Sequence, residues 1–163
     1  MNVNRYFIPA DPKRNLARRK SVILWHRIMD FICRAKGAAM SERILDVSVT
    51  TRYIDDQSAP ERGSYVFTYS VTIRNTGQVG AQLIARHWII TDANNHIEEV
   101  RGLGVVGRQP LIKPGEEFEY TSGTALATPQ GSMQGEFLCV TERGEQFQVK
   151  IPEFVLSLPR TLH

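Results

Sequence analysis

The chain has 163 residues, enough for one domain with a hydrophobic core plus an appendage. A hydrophobic fraction of 42% and a charged fraction of 23% describe an ordinary globular protein and exclude a low-complexity or collagen-like chain. The net charge of +3 is unevenly spread: residues 1–40 carry nine Lys/Arg against two Asp/Glu, so the remaining residues are net negative. The basic balance therefore belongs to the N-terminal segment, and the body offers no electrostatic case for nucleic acid.

The first forty residues form an N-terminal extension distinct in style from the rest of the chain. Pro9 and Pro12 bracket a loose start, and residues 14–36 carry a helical pattern. Lys20, Arg27 and Arg34 recur at heptad spacing, while Leu24, Trp25, Ile28, Met29 and Ile32 cluster elsewhere on that helix. The segment is expected to be helical or disordered, with Gly37 as its stop. Its most apolar run, Val22 to Cys33, is interrupted by His26, Arg27 and Asp30, which argues against a membrane span or a signal peptide.

From Ile44 the hydrophobic period becomes two. Val47 and Val49 alternate with Asp46, Ser48 and Thr50. Tyr65, Phe67, Tyr69, Val71 and Ile73 share one face of the clearest strand, which Asn75-Thr76-Gly77 ends. Further strands are expected over Leu83–Thr91, Ile97–Arg101, Glu117–Thr121, Gly135–Thr141, Glu145–Ile151 and Phe154–Leu158. Arg143-Gly144 is expected to make a hairpin turn. Seven or eight short strands with turns about every ten residues, and no helical period after residue 40, predict an antiparallel β-sandwich; a small barrel is the alternative.

Val100 to Gln109 contains Gly102, Gly104 and Gly107 in G-x-G-x-x-G spacing. That fingerprint binds a dinucleotide only where a helix comes next, and Pro110, then Pro114-Gly115, leave no room for one. The glycines are expected on a loop between strands. One reading makes the loop an anion nest of N–H groups, with Arg101 and Arg108 supplying charge. The other makes it a turn that needs positive φ, with Val105 and Val106 tucked inward.

Catalytic and metal motifs are missing. His87 and His96 have no second histidine at ligand spacing, and the acids Asp55-Asp56, Glu98-Glu99 and Glu116-Glu117-Glu119 read as surface charge. There is no G-x-S-x-G, and neither Cys33 nor Cys139 has a basic partner that would activate it. Two cysteines make no disulfide framework; Cys139 reads as a buried thiol and the compartment as cytoplasmic. The expectation is a chain without enzymatic activity, metal or cofactor.

Residues 41–163 closely resemble the bacterial ApaG family. The motifs that carry this are Tyr65-Val66-Phe67 with Tyr69 and Val71-Thr72-Ile73-Arg74-Asn75; Val100, Gly102, Gly104-Val105-Val106-Gly107 and Gln109-Pro110; Pro114-Gly115-Glu116-Glu117; Tyr120-Thr121-Ser122-Gly123; Thr128-Pro129; Gly131 with Met133-Gln134-Gly135; and Leu162-His163. The resemblance implies an immunoglobulin/fibronectin-III-like sandwich over 41–163, preceded by the 1–40 extension. It also implies a link to cobalt and magnesium tolerance and to dinucleoside-polyphosphate metabolism, without any agreed catalytic residue. Function is accordingly expected to be that of an interaction module with a protein partner of unknown identity, homo-oligomers being possible. The alternative is an accessory protein binding a polyphosphate, a nucleotide or its Mg²⁺/Co²⁺ complex at Gly102–Gln109.

Overall fold

In a computed structural model, residues 44–159 are described, and they fold as eight antiparallel β-strands in two packed sheets. The expected 1–40 extension lies outside the described residues. In chain order the strands are β1 (Leu45–Tyr53), β2 (Tyr65–Asn75), β3 (Ala81–Asp92), β4 (Ile97–Leu103), β5 (Leu111–Ile112), β6 (Glu117–Leu126), β7 (Gln130–Thr141) and β8 (Gln146–Ser157). One sheet runs β1-β2-β6. The other runs β4-β3-β7-β8, with the two-residue β5 pairing on β3 beyond the end of β4. Two single 3-10 turns, Asp55–Gln57 and Pro60–Arg62, lie between β1 and β2 and are the only helical turns among the described residues.

The period-2 pattern dictates which face each strand buries. On β2, Phe67, Tyr69, Val71 and Ile73 are buried as expected, and the alternate residues Thr68, Ser70, Thr72 and Arg74 are not. Val66 breaks the alternation because the 54–64 connection covers it: the Ile54 N–H donates to the Val66 carbonyl, and the Val66 N–H donates to Ser58 Oγ. Facing β2 across the sandwich, Trp88 of β3 is 1% exposed. Its ring stands edge-on to Tyr69 at 5.4 Å and to Phe154 at 5.8 Å between centroids. Gly135 lies opposite Trp88 in β7, where a β-carbon would strike the His87 carbonyl. The close approach of β7 to the β3 backbone beside the indole thus needs a glycine.

Strands β7 and β8 are longer than the sequence pattern indicated. Gly131 and Gly135 interrupt the apolar signal of β7, yet each permits a close backbone approach to β3. In β8 the pattern breaks at Pro152-Glu153, and two strands are expected there. Instead one strand runs through with an extra residue: Met133 pairs with Phe154 but Gly135 pairs with Ile151. The bulge returns Phe154 and Leu156 to the face that buries Val149 and Ile151. β8 is an edge strand, which is where a proline is tolerated.

A second irregularity lies in β3. Leu83 pairs with Cys139, but Ala85 pairs with Leu138, so Ile84 is the extra residue. Every side chain after it changes face. Arg86 consequently pairs with the fully buried Phe137 and shares the inner face with Trp88 and Ile90.

Asn75 joins the two sheets at one end. It is 1% exposed and donates through Nδ2 to the carbonyls of Val79 and Ile112, each at 2.8 Å. Its Oδ1 accepts from Gly77 N–H at 2.9 Å, which closes the turn after β2.

Candidate functional site

The Leu103–Gln109 segment connects β4 to β5 at one edge of the larger sheet. Val105 and Arg108 exchange both backbone hydrogen bonds, at 2.8 and 2.9 Å. The two residues between them have φ of +43° at Val106 and +76° at Gly107. Positive φ at both central positions is the signature of a type I′ turn, which favours Asn-Gly. Glycine fits the second position. Valine at the first is out of place, because a β-branched residue at positive φ is strained.

The expected positive φ is present at Gly104 (+57°) and Gly107 but not at Gly102. A β-carbon at Gly104 would overlap the Arg108 carbonyl oxygen, whereas one at Gly107 would meet nothing within 4 Å. Gly102 is constrained differently and more weakly: a β-carbon there would lie 3.1 Å from Arg86 Nη1, so the guanidinium would have to give by a few tenths of an ångström. Of the two valines expected to tuck inward, Val105 is fully buried. Val106 is 40% exposed, because the turn that buries its neighbour directs it out.

The side chains expected to gather at this loop are separated. Arg108 is exposed and lines, with Leu103, Gly104, Gly107 and Gln109, an open depression of about 270 Å³. Arg101 lies on β4 ahead of the loop, with its side chain only 23% exposed and its Nη2 donating to Glu99 at 2.7 Å. The cation that does reach the loop is Arg86, which sequence pattern missed because the bulge at Ile84 hides its facing. Its Nη1 donates to the carbonyls of Gly104 at 2.6 Å and Leu103 at 3.2 Å. The loop N–H groups of Gly104, Val105 and Arg108 are engaged with Ile84, Arg108 and Val105 respectively. The inner side of the loop therefore presents carbonyls to a cation.

Arg86 also faces Tyr69 and Tyr120. Burial pushes both phenols above their ordinary range; Ser122 hydrogen bonding and Arg86 draw Tyr69 part-way back, and Arg86 does the same for Tyr120. The Tyr120 hydroxyl is buried with no partner among protein atoms. Burial likewise pushes the Cys139 thiol up to about 12. Each shift favours the neutral form, opposite to what a nucleophile or a phenolate base requires.

On the outer face of the same sheet, His87 lies between two carboxylates. Its Nε2 is 3.1 Å from Glu99 and its Nδ1 is 3.6 Å from Glu136. Among the described residues no set of three or more His, Cys, Asp or Glu is gathered to hold a metal ion. The expected acid groups Asp55-Asp56, Glu98-Glu99 and Glu116-Glu117-Glu119 lie on separate elements. No helix among the described residues is long and apolar enough to cross a membrane.

Large apolar side chains remain exposed at this edge. Ile97, Leu103, Val106 and Leu111 all lie on β4, the loop or β5, and Leu103 is 73% exposed. The other two among the described residues, Val155 and Leu158, belong to β8 or its end at the opposite edge.

Residues 55–141 match the family model for the ApaG domain. The chain is 56% identical over 124 residues to Protein ApaG of Ralstonia nicotianae, covering 76% of this chain and all of that one. It is 60% identical over 119 residues to Protein ApaG of Bordetella pertussis, covering 73% and 91% respectively. A crystal structure of a Bordetella pertussis protein under the name ApaA superposes with a TM-score of 0.70. It is 59% identical and covers 72% of this chain and 95% of that one. The two-sheet fold that carries the glycine loop and the buried Trp88 layer is thus shared at high identity, and the chain belongs to the ApaG family.

Proposed function

We propose that the protein is a non-enzymatic interaction module that presents the β4–β5 edge to a protein partner in the cytoplasm. One observation carries this reading: Val106 is held at φ +43° and 40% exposed, between exposed Leu103 and Leu111. A strained β-branched residue at a turn tip costs stability without contributing core, so its use lies outside the monomer. The buried, neutral state of Cys139, Tyr69 and Tyr120 supports a role without covalent or acid–base chemistry. Affinity capture from the source cell, comparing the native chain with Val106→Asn, tests it. The Asn variant keeps the turn and removes the apolar tip. A protein held by the native chain and released by the variant is the expected result; identical captures defeat the reading.

A second reading is favoured by the depression beside Arg108. It is lined by Gly104, Gly107, Arg108 and Gln109 and is open to a ligand. A polyphosphate or nucleotide, alone or with Mg²⁺ or Co²⁺, would lie against Arg108, which would connect the fold to dinucleoside-polyphosphate metabolism and to cobalt and magnesium tolerance. Titration of isotope-labelled protein with ATP, diadenosine polyphosphates and Mg²⁺ decides it. Resonance shifts confined to Gly102–Gln109 support this second reading, and an unperturbed loop removes it.

A further inference from the structure

Along one side of the sandwich β1 meets β8, where Thr51 Oγ1 donates to the Val155 carbonyl at 3.3 Å. The other side is bordered by β6 and β4, each the last strand of its sheet. Arg86 reaches toward this side from the inner face of β3 and is half-buried. Its guanidinium lies over Gly102 of β4, where a β-carbon would stand 3.1–3.3 Å from Nη1, Cζ and Nη2. Nη1 is committed to the carbonyls of Leu103 and Gly104. Nη2 and Nε have no partner among the described residues, and no carboxylate there pairs with the guanidinium. Glu98 shares this inner face, but it pairs with Ile90 while Gly102 pairs with Arg86, which sets its backbone roughly 13 Å further along the strand.

Two further donors on the inner face are buried without a partner. Trp88, two residues beyond Arg86, is 1% exposed, and Tyr120 of β6, which faces Arg86, is 6% exposed. Neither Trp88 Nε1 nor the Tyr120 hydroxyl has a hydrogen-bond partner among protein atoms. Buried polar groups are ordinarily paired, so both call for an acceptor. Burial keeps the Tyr120 phenol protonated and able to donate. A cation and two neutral donors thus stand together without an anion. A carboxylate complements them, because its two oxygens match the Nη2–Nε edge in parallel and its single charge neutralises a single arginine. A phosphate would set up to two charges against that one cation, and the loop N–H groups of Gly104, Val105 and Arg108 are engaged elsewhere. Val100, opposite Trp88 on β4, and Phe118, two residues before Tyr120 on β6, are partly buried against the core and make the surroundings apolar.

We infer that the inner face between β4 and β6 is a binding site for a small organic carboxylate with an apolar body, held by Arg86 and Tyr120. Arg86 keeps its loop contacts through Nη1 and offers its remaining edge to the ligand, so binding leaves the Leu103 and Gly104 carbonyls satisfied. The site is separate from the depression beside Arg108, which Arg86 does not line. It also makes no use of Val106. The inference therefore goes beyond both readings of function and fails or stands independently of them.

Titration of the ¹⁵N-labelled full chain with acetate, butyrate and 3-phenylpropionate tests it, read at the indole N–H of Trp88 and the Nε–H of Arg86. Saturable shifts of both resonances are expected with at least one acid, and none with 3-phenylpropionamide, which has the same body without the charge. Tyr120→Phe removes a hydroxyl that has no protein partner. Its melting curve should match that of the native chain, while its dissociation constant rises about tenfold through loss of a hydrogen bond to a charged group. Arg86→Lys keeps the charge but not the two-donor edge and should weaken binding by at least as much. Melting curves establish folding; if Arg86→Lys does not fold, Tyr120→Phe and the amide still decide. No saturable shift with any of the three acids overturns the inference. So does equal binding of the amide, or a Tyr120→Phe chain that binds as the native one does. Inorganic phosphate moving the same resonances at lower concentration overturns the carboxylate assignment. Shifts confined to Gly107–Gln109, with Trp88 unmoved, overturn the site.

Discussion

Replacing Val106 by Asn is expected to stabilise the protein although it removes an apolar side chain. Val106 occupies the first central position of a type I′ turn with φ +43°. An L residue with a β-carbon in the left-handed region costs about 1–2 kcal/mol, and Asn relieves much of this through its short polar side chain. Against that gain stands the loss of apolar contact. Full burial of a valine is worth about 1.5–3 kcal/mol, but Val106 is 40% exposed and Asn retains its β-carbon, so only part of this is lost. The net gain is on the order of 0.5–1 kcal/mol. For a chain of this size it appears as a rise of roughly 1–4 °C in melting temperature. Urea denaturation should show a higher midpoint with an unchanged slope, since no surface is newly exposed. Val106→Gly also relieves the strain but gains unfolded-state freedom, so it should fall below the Asn variant. An Asn variant that melts lower than the native chain would refute the strain argument, and with it the main support for a partner surface at the turn.

Gly104→Ala should cost more than Gly107→Ala in the same denaturation assay. Both positions have positive φ, costing about 1–2 kcal/mol, but only at Gly104 does the new methyl overlap the Arg108 carbonyl. Asn75→Ala should cost about 2–4 kcal/mol, because it leaves the carbonyls of Val79 and Ile112 without their donor. Calorimetry of that variant showing a loss under ~0.5 kcal/mol would dismiss Asn75 as the clamp between sheets. Stability should fall as pH rises above about 9. The Cys139 thiol is raised from 9.0 to about 12 on folding, so the native state keeps a proton that the unfolded state releases. That group's contribution is complete below pH 9 and is lost as pH climbs toward 12, at up to about 1.4 kcal/mol per pH unit. Tyr69 and Tyr120 add in the same direction above pH 10. Replacing Cys139 by Ser should flatten the first part of this decline, as followed by thermal melts across the range.

The class of fold and the faces of its strands are legible in the chain itself. Alternation over Tyr65–Ile73 is a local property, and burial of Phe67, Tyr69, Val71 and Ile73 is assured once any second sheet covers them. The same is true of the loop, because Pro110 and Pro114-Gly115 forbid a helix after the glycines wherever they lie. What the loop faces is set by packing in three dimensions. One extra residue at Ile84 turns Arg86 inward onto the Leu103 and Gly104 carbonyls. On the outer face, alternation along β4 already puts Arg101 beside Glu99, but only the pairing of β4 and β7 with β3 brings His87 between Glu99 and Glu136. No periodicity marks a bulge, since a bulge is a mismatch between two strands and not a property of either. The exposure of Val106 has the same origin. Two adjacent valines read alike in sequence, and the turn that Val105 and Arg108 close sends one into the core and the other into solvent.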